Sequence, residues 1–71
     1  MKTEANVKFG KRICFLRNQL ALSQEELAFR CGFDRTYIGS IERGEQSPTI
    51  NSIDKLAKGL NVHLKVLFDY D

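Results

Sequence analysis

The hydrophobic positions of this chain recur at helical spacing in several consecutive segments. The first segment predicts a helix from about Asn6 to Leu20, because one face collects four apolar residues: Phe9, Ile13, Leu16 and Leu20. A later segment, with Thr49 as its predicted N-cap, repeats this periodicity with Ile50, Ile53, Leu56, Ala57 and Leu60. A short last helix over about residues 63–68 carries Leu64, Leu67 and Phe68.

The segment from Leu22 to Gly44 predicts two short helices joined by a tight turn. Ser23 can cap the first of them, with Glu26 as its capping-box partner three residues later. Gly32 can adopt the left-handed conformation that ends this helix, and Asp34 is placed to cap the next. Such a short connection makes the two helices cross steeply, so the second projects its N-terminal residues outward. This is the geometry of a helix-turn-helix, whose second helix enters the major groove of DNA.

Together these segments predict one all-α domain of five helices over residues 1–71, with residues 1–5 as a polar, frayed end. A chain this short buries only about 60% of its unfolded surface, so its core is marginal and a second subunit would add apolar burial. The formal net charge of +2 permits DNA binding but does not by itself argue for it.

The composition argues against several other classes of protein. No apolar run is long enough for a membrane span, and the polar N-terminus does not resemble a signal peptide. Cys14, Cys31 and His63 lack ligand spacing, so we expect neither a metal nor another cofactor. The plain interpretation of the two cysteines is free thiols in a cytoplasmic protein, with redox sensing as the alternative. Without a nucleophile–base set, paired carboxylates or a phosphate loop, we expect neither an enzyme nor a small-molecule ligand.

The first turn of the second helix of the helix-turn-helix carries the candidate base contacts. Arg35 can bond the O6 and N7 atoms of guanine bidentately. Thr36 can offer its hydroxyl to a base or its methyl group to thymine. Ser40 lies one turn further, on the face predicted to point outward, and is a weaker candidate. The alternative interpretation is that these are ordinary solvated residues of a helix surface.

Candidate phosphate contacts lie at the ends of the two helices. Gln24 begins the first helix, where its amide and the free backbone N–H groups can face the same anion. Arg43, Gln46 and Ser47 lie at or beyond the end of the second helix, in a loop whose N–H groups and polar side chains suit phosphate binding. The hydroxyl of Tyr37 can reach a phosphate, or its ring can pack across the turn. Gln24 can also be an ordinary helix-start residue, and Arg43 can simply stabilise the helix dipole.

The segments LSQEELA and IERG resemble the lambda-repressor-like, or Xre, family, and the resemblance covers roughly residues 7–68. The run DRTYIGSIERG, followed by Pro48, is most similar to the controller proteins of bacterial restriction-modification systems. The resemblance implies a homodimeric, sequence-specific transcription regulator that binds a near-palindromic operator in double-stranded DNA. A phage or plasmid repressor is the alternative, because such repressors share most of these letters. This chain has Gln46 where controllers often carry a basic residue.

The resemblance also implies roles for single residues. Arg17 and Glu42 are expected to form a partly buried ion pair between the first and third helices. Gln24 is expected to brace the third helix as well as contact a phosphate. Glu25 matches a position at which some family members touch RNA polymerase, although it can also be a helix-start carboxylate favoured by the dipole.

The last segment carries more apolar surface than one short helix can bury against so small a core. We therefore expect two-fold pairing through Leu64, Leu67 and Phe68, with the alternative that all three fill the core of the monomer. A different class of function is a protein-interaction module, such as an antitoxin, that keeps the fold without binding DNA. Such a module would not need Gln24, Arg35 and Thr36 in this pattern.

Overall fold

The computed structural model describes residues 2–70. The chain forms four α-helices, α1 (Glu4–Gln19), α2 (Gln24–Cys31), α3 (Arg35–Glu42) and α4 (Ile50–Leu60), followed by a 3-10 helix, η1 (Leu64–Phe68). No strand occurs among residues 2–70, which confirms the predicted all-α class. The prediction of a fifth α-helix is wrong, because the last segment forms a 3-10 helix instead. Its backbone bonds span three residues, as in Val66 N–H to the His63 carbonyl (2.9 Å), because only five residues form this turn.

Helix α1 begins earlier than the sequence pattern predicts. Thr3 caps it by accepting a hydrogen bond from the Asn6 backbone N–H at 3.0 Å, so Glu4 and Ala5 are helical rather than frayed. Met1, which belongs to the same predicted frayed end, lies outside the described residues. A threonine followed by an acidic residue satisfies the orphan N–H groups of a first turn, and this local signal explains the earlier start.

The connection between α2 and α3 follows the predicted capping residues. The Ser23 hydroxyl accepts from Glu26 N–H at 3.0 Å, and the Glu26 carboxylate accepts from Ser23 N–H at 2.8 Å, which completes the capping box. Gly32 has the left-handed φ of 76° that ends α2. Asp34 is the N-cap of α3, but its side chain makes no capping hydrogen bond. Two residues, Phe33 and Asp34, therefore separate the cap of one helix from the first turn of the next.

The core is formed by apolar side chains from every helix: Phe9, Ile13, Leu27, Ala28, Cys31, Ile38, Ile41, Leu56, Ala57, Leu60 and Leu67. Helix α1 packs closely on α3 because Gly10 meets the Ile41 and Glu42 backbone carbonyls, where a Cβ atom would collide. A Cβ atom on Gly59 of α4 would likewise collide with the Cys31 sulfur. This packing fixes α3 from behind and leaves the opposite side of the helix open.

Candidate nucleic-acid interface

A polar network behind α3 joins the first three helices. Arg17 Nε donates to Glu42 Oε2 at 2.7 Å and Arg17 Nη2 donates to Glu42 Oε1 at 3.0 Å. Gln24 Nε2 donates to the same Oε1 at 2.9 Å, and Arg17 Nη1 reaches the Leu22 carbonyl at 2.7 Å. The ion pair raises the pKa of Arg17. The implied Arg17–Glu42 pair is therefore present, and Gln24 braces α3 as the resemblance implied; we call Arg17, Glu42 and Gln24 the bracing network.

The first turn of α3 presents Arg35 and Thr36 to solvent. Neither side chain makes a hydrogen bond to another described residue, so their donors and acceptors stay available to a ligand. The core residues Ile38 and Ile41 hold the opposite face of the same helix. Arg35 and Thr36 stay predictions as base contacts, and this position is the one from which side chains of a recognition helix reach base edges.

Ser40 does not point outward, so its prediction as a base contact is wrong. Its residue is only 7% exposed, and its hydroxyl donates to the Tyr37 carbonyl at 2.8 Å. The loop after α3 turns back at this point, since Glu45 N–H donates to the Ser40 carbonyl at 2.9 Å. A serine that bonds backward to its own helix backbone has no free donor for DNA.

Tyr37 lies at the junction of α3 and α4. Its ring packs edge-on against Phe33, with centroids 4.9 Å apart, which realises the packing alternative. Its hydroxyl donates to Ser52 Oγ at 3.3 Å, so the polar tip reaches the first turn of α4. The sequence reasoning missed Ser52. Its only signal was its position three residues after the Thr49 cap, whose hydroxyl accepts from Ser52 N–H at 3.1 Å.

The loop after α3 carries the remaining predicted phosphate contacts. Arg43 forms a bidentate ion pair with Glu45, with both N···O distances 3.0 Å. Gln46 and Ser47 are exposed, and Ser47 Oγ accepts from Asn6 Nδ2 at 2.7 Å, which ties the loop to α1. A Cβ atom on Gly39 would lie 3.1 Å from Arg43 Nη1 and 3.5 Å from Gln24 Oε1, so Gln24 and Arg43 adjoin each other beside α3.

The predicted dimer contacts divide between core and surface. Leu67 has no exposed area and packs in the monomer core, so its assignment to the interface is wrong. Leu64 and Phe68 are 44% and 47% exposed, and one side of Phe68 rests on Phe9 with ring centroids 5.3 Å apart. In a 3-10 helix, residues three apart point in the same direction, so Leu64 and Leu67 lie on the same side of η1. Leu64 lies nearer the protein surface than Leu67.

Residues 2–70 contain no group of three His, Cys, Asp or Glu side chains that could hold a metal ion. Over the same range no helix is both long and apolar enough to cross a membrane. Glu25 is exposed on α2, and Phe29, one turn further on the same helix, is 87% exposed.

Comparison with known proteins agrees with this geometry. The helix-turn-helix family model HTH_3 matches residues 15–67, so the chain belongs to this family of DNA-binding regulators rather than to a family of enzymes. The chain is 38% identical to the control protein C.BamHI of Bacillus amyloliquefaciens over 71 residues, covering 99% of this chain and 88% of that protein. The match therefore spans both proteins nearly end to end.

Solved structures of restriction-modification controllers are also similar. C.AhdI from Aeromonas hydrophila shares 44% identity with a TM-score of 0.91, covering 93% of this chain and all of that one. The tetramer of C.Esp1396I in complex with its natural 35 base-pair operator gives 35% identity and a TM-score of 0.88, covering 96% of this chain and 90% of that one. The chain also matches phage sequences, including the immunity repressor of Bacillus phage phi105 at 28% identity over 58 residues.

Proposed function

We propose that this protein is a sequence-specific transcription regulator that places α3 in the major groove of operator DNA. The observation that carries the proposal is the two-sided construction of α3. Its back is fixed by core residues and by the bracing network, while Arg35 and Thr36 stand exposed at its first turn. Rigid placement of a helix with free polar side chains at its N-terminal end is what direct readout of base edges requires.

The similarity to C.BamHI and C.AhdI favours a controller of a bacterial restriction-modification system, acting in the cytoplasm where the DNA lies. A phage-type repressor of the same fold is the second candidate, supported by the weaker phage matches. The exposed Leu64 and Phe68 support a homodimer, because a two-fold axis would bury both and present two copies of α3 to a near-palindromic operator.

Selection from random DNA tests this function directly. The purified chain is mixed with a pool of random-sequence duplexes, and the bound fraction is sequenced after several rounds. We expect enrichment of one near-palindromic sequence and its protection in a footprint. Recovery of an unenriched pool would contradict sequence-specific binding and would favour the protein-interaction module.

We also propose that Glu25 contacts RNA polymerase when the protein is bound beside a promoter. The carboxylate is exposed on α2, and the described residues engage it in no ion pair. A reporter carrying the selected sequence upstream of a promoter separates this role from DNA binding. Glu25→Gln is expected to lower activated transcription while leaving the dissociation constant for DNA unchanged.

A further inference from the structure

We propose that Glu45 is a specificity-determining residue, whose carboxylate engages the Arg43 guanidinium and so limits the sequence-independent attraction of this surface for DNA phosphates. The inference rests on the proposed function, because it concerns the same surface. It adds an acidic residue to a site that the sequence describes only by its polar and basic groups.

The contact between the two side chains occupies one whole edge of the guanidinium. Arg43 Nε and Nη2 each donate to one oxygen of Glu45 at 3.0 Å. Both side chains are exposed, at 55% and 41%, so the pair is open to a ligand. The guanidinium lowers the pKa of the Glu45 carboxyl, which is therefore ionised at neutral pH.

The pair lies on the side of α3 that carries Arg35. Residues 35, 39 and 43 follow one another at intervals of four, which places them on one face of the helix. A Cβ atom on Gly39 would stand 3.1 Å from Arg43 Nη1 and 3.5 Å from Gln24 Oε1. Because residue 39 has no side chain, the guanidinium can lie across the helix beside Gln24, at the predicted phosphate contacts.

This arrangement changes what Arg43 can offer to DNA. With Nε and Nη2 committed to Glu45, only Nη1 remains fully available, so the arginine cannot present its Nε edge as a fork to guanine or phosphate. The pair also has no net charge, whereas a lone arginine attracts any phosphate. Nonspecific affinity comes almost entirely from such phosphate contacts and the counterions that they release. Specific binding is also supported by base contacts, so a carboxylate placed here weakens nonspecific affinity more than specific affinity.

Glu45→Gln tests the inference, because it removes the charge while keeping the shape of the side chain. Dissociation constants are measured over a range of salt concentrations for two probes, the random-sequence duplex pool and the single duplex that the wild type enriches from it. We expect the variant to bind the random pool several-fold more tightly and to show a salt slope steeper by about 0.9, the value for one more neutralised phosphate. Its ratio of specific to nonspecific affinity should fall.

Two controls define the role of the pair. Asp54→Asn removes the acid of another exposed ion pair, Asp54–Lys58 at 3.0 Å, and should change neither slope nor ratio. In an Arg43→Ala background, Glu45→Gln should have no effect, since the carboxylate acts through the arginine.

The inference would be overturned if Glu45→Gln alone left the salt slope and the affinity ratio unchanged. It would also be overturned if Glu45→Gln had the same effect in the Arg43→Ala background as in the wild type. If the wild type enriches no sequence from the pool, the proposed function itself fails, which is a separate outcome.

Discussion

The guanidinium of Arg17 on α1 meets the carboxylate of Glu42 on α3 through two parallel hydrogen bonds of 2.7 and 3.0 Å. The side chains are only 12% and 6% exposed, so water can reach little of either charged group to replace the hydrogen bonds if the contact is lost. Bidentate pairs of this kind fix orientation as well as distance. Gln24 on α2 donates to the same carboxylate, so side chains from three helices together fix the position of α3.

We expect Arg17→Ala and Glu42→Ala each to lower the free energy of unfolding by about 3–5 kcal/mol, since each leaves a buried charge without its partner. The double variant should cost less than the sum of the two, as measured in a denaturation double-mutant cycle. The exposed Asp54–Lys58 pair is the matched control and should show a coupling of about 0.3–0.5 kcal/mol. Additive losses for Arg17 and Glu42 would show that the two side chains do not interact.

The capping box of α2 makes a prediction about pH. Hydrogen bonds from Ser23 lower the pKa of Glu26 below its ordinary value of 4.5. A carboxyl whose pKa is lowered by folding stabilises the protein above the unfolded pKa and loses that effect as pH falls through the folded pKa. Glu26→Gln should therefore be less stable than the wild type at pH 7, and the difference should shrink below about pH 4.5. Thermal melts across this range measure it, with Glu25→Gln as the neighbouring control; a constant difference would contradict the assignment.

The two thiols should react at different rates. Burial raises the pKa of Cys31 to about 11, so the reactive thiolate is scarce at pH 8. Cys14 is only partly buried. Alkylation followed by mass spectrometry should modify Cys14 first, and Cys14→Ser should leave a protein that resists the reagent until it is unfolded. Equal rates in the native protein would contradict the burial of Cys31.

Local signals in the sequence predicted much of the fold. The caps at Ser23 and Thr49 and the left-handed Gly32 depend on a few adjacent residues, and all three are present. Periodicity also placed most of the apolar faces of α1 and α4 correctly, but it was wrong for Leu20 and Ile50, which are 46% and 75% exposed. The last segment could not be typed in this way, because five residues show too little periodicity to separate an α-helix from a 3-10 turn.

The candidate site was harder to predict, because its details depend on where the chain returns. Helical spacing predicted that Ser40 points outward, yet the loop after α3 turns back over it and donates a hydrogen bond to its carbonyl. Tyr37 meets Ser52 only because α4 packs beside the turn. The ion pair between Arg43 and Glu45 needs the loop conformation set by Gly44, whose φ is 79°. The Arg17–Glu42 pair was found through the resemblance, since spacing of 25 residues carries no local signal.

Arg35→Ala should weaken binding to the selected operator by about 1–3 kcal/mol at one salt concentration. The melting temperature should not change, because the side chain is exposed and contacts no core residue. Lys11→Ala removes the same charge from an exposed position on α1 and should leave specific binding almost unchanged. Titration of a labelled duplex measures both, and equal affinity of Arg35→Ala and the wild type would exclude Arg35 as a base contact.

The exposed surface of η1 predicts the state of assembly. Leu64 is 44% exposed beside the half-exposed Phe68, and a second copy that covers both would add the apolar burial that a 71-residue core lacks. Sedimentation equilibrium at micromolar concentration should give twice the 8.1 kDa chain mass, and Leu64→Ser should shift the protein toward the monomer. Phe29→Ser, at a position that is 87% exposed on α2, removes more exposed apolar surface yet should leave the dimer intact. A wild type that stays at 8.1 kDa and binds one half-site alone would rule out the dimer.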